Sequence, residues 1–202
     1  MKQEQKRKTI ICISIAVLVA ACITTILHIH KKEMVRELSG QVFRFHVLAN
    51  SDSESDQALK MEVKEAVLSY MKESLPESEH VSETKAWALS HLPEIREQVA
   101  AVIAEAGYAY EVKAEVVRDY FPEKTYGDVT FPEGEYEALR VEIGKGEGHN
   151  WWCVLYPNLC FTDAVHAVVP EEGKEQLQNV LEEDVYDMVT NPPKWRIGWF
   201  FF

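Results

Sequence analysis

Apolar residues follow three rhythms along this chain of 202 residues. From Ile10 to Ile29 they are nearly continuous: twenty positions without Asp, Glu, Lys or Arg, where only Ser14, Thr24, Thr25 and His28 are polar. A helix rises about 1.5 Å per residue, so this run matches the roughly 30 Å hydrocarbon core of a bilayer. The rhythm then shortens to two. Val42 to Ala49 sets Arg44 and His46 between apolar neighbours, which predicts a strand. Asn50 to Asp56 supplies side chains that cap a helix and suit its positive end. A helix is expected from Asp56 to Met71, with Leu59, Val63, Ala66, Val67 and Tyr70 on one face.

Helical spacing resumes at Ser82, with Pro93 as a break or a fresh first turn and Gly107 as the stop. Its stripe is Ala88, Leu92, Ile95, Val99, Val102 and Ala106. The period returns to two at Tyr108–Val116 and at Leu139–Ile143, while Trp151–Tyr156 is apolar on both faces and predicts a covered strand. Gly127, Pro132-Glu133-Gly134 and the run Gly144 to Gly148 carry the turns. A final helix fits Lys174 to Met188. The order favours an α+β fold: a small, mostly antiparallel sheet with helices packed on it, preceded by an N-terminal membrane or signal helix.

Charge divides the chain the same way. Residues 1–32 hold six basic side chains and one acidic, so the other 170 residues carry a net −17 although the whole chain is at −12. So acidic a domain repels phosphate backbones, and nucleic acid is not an expected partner. Lys6-Arg7-Lys8 ahead of the apolar run holds that end in the cytoplasm and places the acidic bulk outside. The run itself reads as an uncleaved anchor, a cleaved signal, or a lipoprotein signal ending at Val19-Ala20-Ala21-Cys22. Three parts follow: residues 1–32 as basic flank plus signal or transmembrane segment, residues 41–191 as one exported domain, and residues 192–202 as an aromatic tail. That tail holds Trp195, Trp199, Phe200, Phe201 and Phe202, and reads as a closing segment on the core or as a contact for a partner or membrane.

The chemistry of catalysis is hard to find. Gly144-x-Gly146-x-Gly148 lacks the Lys-Ser/Thr ending of a phosphate loop, and neither Gly-x-Ser-x-Gly nor His-Glu-x-x-His occurs. Asn50, Asp52, Glu54 and Asp56 alternate like calcium ligands, but the twelfth position is Met61 and no glycine marks the turn. No metal or other cofactor is expected, and no small-molecule substrate. Cys12 and Cys22 fall in the apolar run. Cys153 and Cys160 flank Tyr156-Pro157, where a reversal would bring them opposite each other; a disulfide and two buried thiols both satisfy that pattern. With His149 and His166 nearby they match no zinc spacing.

Three stretches, in order, resemble the stage II sporulation protein R family. They are His46 to Lys60 with its Asn50-Ser51-Asp52-Ser53 core; Phe121 to Gly127 with Pro132 to Arg140; and Gly146 to Phe161 with Asn150-Trp151-Trp152-Cys153. The resemblance implies a secreted signalling protein of endospore formation, made in the forespore and exported into the space facing the mother cell. Its implied partner is a membrane-embedded aspartic protease that processes the precursor of the sigma-E factor, and the chain itself would be no enzyme. A membrane contact through residues 10–29 would persist if they are retained. Exposed polar loops on rigid elements often carry recognition, so the contact face is expected at Asn50, Ser51 and Asp52 with the neighbouring Arg44 and His46. The alternative is an exported cell-envelope hydrolase using His46 and a carboxylate such as Asp52.

Overall fold

A computed structural model describes residues 2–160 and 169–192; Phe161, His166 and the aromatic tail lie outside the described residues. The chain opens with one helix, α1 (Lys2–Gln41), and enters strand β1 (Phe43–Leu48). Three helices follow, α2 (Glu54–Ser74), α3 (Val81–Ser90) and α4 (Leu92–Glu105). Strands β2 (Val112–Phe121), β3 (Lys124–Tyr126), β4 (Val129–Phe131), β5 (Gly134–Ile143) and β6 (Asn150–Tyr156) precede helices α5 (Glu171–Val180) and α6 (Glu183–Thr190).

Four strands form one sheet in the order β2-β5-β1-β6, and β3 pairs with β4 as a separate hairpin. β1 runs parallel to β5 and antiparallel to β6, and β2 runs antiparallel to β5. Parallel neighbours need a long crossover, which α2 to α4 and β2 provide. The fold is therefore α+β with a mostly antiparallel sheet.

Two apolar layers sandwich the sheet. Phe43, Phe45 and Val47 of β1, with Leu139, Val141 and Ile143 of β5, face Val63, Val67 and Met71 of α2 and Ile95, Val99 and Ile103 of α4. On the opposite face, Phe121, Tyr136, Ala138 and Val154 meet Leu38, Phe131, Leu177, Val185 and Val189. Both layers are fully dry at most of these positions.

Helix α2 starts two residues earlier than expected, because Ser53 is extended (φ −61°, ψ 147°) and its Oγ accepts the Asp56 N–H at 3.2 Å. Pro93 does open a new helix, in the first turn of α4. The expected final helix is divided into α5 and α6: Leu181 and Glu182 are extended, and Glu183 and Asp184 then supply the acidic first turn of α6. The largest departure is α1. It continues past Lys31-Lys32 to Gln41, and its last turns bury Leu38 and Ser39 in the domain. Ile10 to Ile29 is exposed along its length and is long and apolar enough to cross a membrane.

Candidate functional site

Because β1 and β5 are parallel and β6 runs against them, the exit of β1, the exit of β5 and the entry of β6 share one end of the sheet. The Asn50-Ser51-Asp52 loop leaves β1 there, and the glycine loop from Gly144 to His149 joins β5 to β6. The two loops are braced together. Asn50 Oδ1 accepts the Lys145 N–H at 3.1 Å, the Asn50 carbonyl accepts the Glu147 N–H at 3.3 Å, and the Ala49 carbonyl accepts the Gly148 N–H at 2.9 Å. Glycine is required for this approach. Gly144 has φ +59°, and a Cβ on Gly148 would lie 2.2 Å from the Ser51 carbonyl oxygen.

Asp56 holds the brace from beneath. Its buried carboxylate accepts from Ser51 Oγ at 2.5 Å, Asn50 Nδ2 at 2.8 Å and the Tyr110 hydroxyl at 3.0 Å. The Ser51 hydroxyl first, then Asn50 and Tyr110, hold its pKa below the usual carboxylate range against the opposing effect of burial. Gln57 Nε2 donates to the Ser51 carbonyl at 3.0 Å, and the buried Lys60 ammonium donates to Gln57 Oε1 at 2.5 Å and to the His149 carbonyl at 3.0 Å. Burial lowers the pKa of that lysine.

The tip of the platform is Asp52 with His149. Asp52 Oδ1 accepts the His149 N–H at 2.6 Å and pairs with His149 Nδ1; the side chains are 55% and 81% exposed. The His149 ring first, then its backbone N–H, keep the Asp52 carboxyl ionised to lower pH than usual. This pair is a fixed, solvent-facing feature.

Arg44 and His46 stand elsewhere. Both are buried on the second face of the sheet, so neither reaches a partner directly. Arg44 lies in an aromatic cage, its guanidinium carbon 4.5 Å from the Phe121 ring centre, 5.0 Å from Tyr136 and 5.2 Å from Phe131. Its Nε donates to the Cys153 carbonyl at 3.1 Å and its Nη2 to the Tyr126 hydroxyl at 3.0 Å. The His46 ring stacks on Trp152, centres 5.0 Å apart, with Phe121 at 5.1 Å on another side. Its Nε2 lies 3.5 Å from Asp119 Oδ2, and burial pushes its pKa down to about 4 despite that carboxylate.

Structure thus brings Asn50, Ser51 and Asp52 together with residues that the sequence reading left outside the site: Asp56, Gln57, Lys60, Tyr110 and His149. The readable signal was the alternation of Gly144, Gly146 and Gly148 before His149, which marks a backbone approached closely by another chain segment. Cys153 and Cys160 are joined in a disulfide with Cα atoms 5.6 Å apart. Among the described residues no three His, Cys, Asp or Glu side chains cluster as a metal ion would require.

Comparison with known proteins adds two findings. A family model described as stage II sporulation protein R matches residues 39–166, which take in both loops of the platform, the Arg44 cage and the disulfide. The chain is also 32% identical to the stage II sporulation protein R of Bacillus subtilis (strain 168) over 198 residues, covering 94% of this chain and 87% of that protein. No solved structure matches it significantly.

Proposed function

Because this chain belongs to the stage II sporulation protein R family, we propose that it is a secreted signalling protein of endospore formation. In this reading it is made in the forespore and exported through its apolar N-terminal helix. It then activates the membrane aspartic protease of the mother cell that processes the sigma-E precursor. It acts as a ligand and carries out no catalysis itself. The observation that carries the reading is the family match across the whole platform; α1, with its membrane-compatible run and basic flank, supports the route.

The geometry suits a ligand. Activation requires binding the competent state of a target more tightly than the resting one, and a shift from mostly off to mostly on takes about 5.5 kcal/mol of differential affinity. A braced platform loses little conformational freedom on contact, which leaves more of the contact energy for that difference. Asp52 and His149 are its outward side chains in this proposal, Ser51 braces them from within, and Arg44 and His46 support the sheet beneath. The alternative hydrolase would have to pair a buried His46 with Asp119, because Asp52 is engaged by His149.

The test is reconstitution of the full chain with the protease and its sigma precursor in membranes. Asp52→Arg is expected to leave the protein folded and exported while precursor cleavage falls by at least about tenfold, a loss of roughly 1.4 kcal/mol of differential binding. Cleavage at the wild-type rate would remove Asp52 from the contact face. Equal cleavage without any of this protein would end the signalling reading.

A further inference from the structure

Cys153 is buried in β6, and the seven residues that follow it turn back on that strand. The Cys160 N–H donates to the Val154 carbonyl at 3.1 Å, and Leu159 is buried in the second apolar layer. Tyr156 donates its hydroxyl to the Glu79 carbonyl at 2.7 Å, tying the same segment to the entry of α3. The Cys153 carbonyl is also the acceptor for Arg44 Nε. One short segment therefore fastens the sheet edge, the second layer and the guanidinium cage, and the disulfide closes it on itself. Cys12 and Cys22, by contrast, are exposed on α1.

We propose that the Cys153–Cys160 bond is a compartment lock. Both side chains are thiols while the chain is in the reducing cytoplasm, and they are oxidised after export, so the fully fastened domain exists only beyond the membrane. The bond forms by exchange with an external disulfide. One thiolate attacks it and releases a first thiol, giving a mixed disulfide. The second thiolate then displaces the other, so two protons and two electrons leave the pair and the oxidant departs as two thiols. This inference rests on the export reading above.

The full chain, made under reducing conditions and held in detergent micelles, provides the test. Maleimide counting after denaturation is expected to find four reactive thiols before treatment with oxidised glutathione and two after it, those of Cys12 and Cys22. Protein recovered from the outer side of the membrane without reductant should show, by peptide mapping, no reactive thiol at Cys153 or Cys160, whether or not α1 with Cys12 and Cys22 is retained. Closing so short a loop should favour the folded state by roughly 50-fold, so digestion of the native chain should quicken by up to that factor in dithiothreitol. A Cys153→Ser/Cys160→Ser chain should digest at the fast rate with or without reductant. Reactive thiols at Cys153 and Cys160 in exported protein, or wild-type digestion unmoved by dithiothreitol, would overturn the lock. Neither readout involves the protease, so the lock and the signalling reading can fail independently.

Discussion

Arg44 and His46 stand two residues apart on one face of β1, and both have surrendered water. Their alternation with Phe43, Phe45 and Val47 predicts a half-buried strand whose polar side chains meet solvent. What reverses this is the second layer, assembled from nearby Leu38 together with Phe121, Phe131 and the helices α5 and α6, which lie far away along the chain. No local period reports such cover. The reversal has a measurable result for His46. Its folded pKa, about 4, lies below the ordinary value near 6.5, so the unfolded chain binds more protons between those two pH values. This contribution is complete above about pH 6.5 and is lost as pH falls toward 4, at up to about 1.4 kcal/mol per pH unit. Urea unfolding across that window should show the slope, and His46→Gln should flatten it. An unchanged slope would assign the acid sensitivity to other groups.

At the level of elements, legibility follows how local the cause is. β1, α2 and α4 were readable because each carries its own period, with Ser53 capping α2 and Pro93 in the first turn of α4. The β3–β4 hairpin was not: two strands of three residues each are too short for alternation to speak, and only Gly127 hinted at the turn. β2 also runs further than expected, to Phe121, because β5 pairs with it along ten residues from Val112 to Phe121. The candidate site was half legible for a related reason. Asn50, Ser51 and Asp52 announce themselves as a polar loop, but the glycine loop that meets them lies some ninety-five residues on, joined by strand register. Gly148 is the hinge pin of that meeting. Gly148→Ala must push the Ser51 backbone away, which should cost about 1–3 kcal/mol and speed amide exchange at residues 50–53. Unaltered exchange there would mean that the two loops are independent.

Over the whole molecule, the division between a basic, apolar leader and an acidic domain was plain in the charges, yet the two are one continuous helix at their junction. Leu38 is wholly buried in the second layer, so α1 contributes to the stability of the domain as well as carrying a run long and apolar enough to cross a membrane. Leu38→Ala should cost about 3 kcal/mol, measurable as a lower urea midpoint with an unchanged slope. A loss below about 0.5 kcal/mol would show that the end of α1 is an appendage. Continuity also has a mechanical consequence. With no flexible residue between the apolar run and the core, a retained α1 would act as a lever arm: the tilt that fits it to a bilayer would also set the angle of the domain above the surface. Membrane thickness would then aim the platform, and a thinner or thicker bilayer would turn Asp52 and His149 toward or away from the membrane surface.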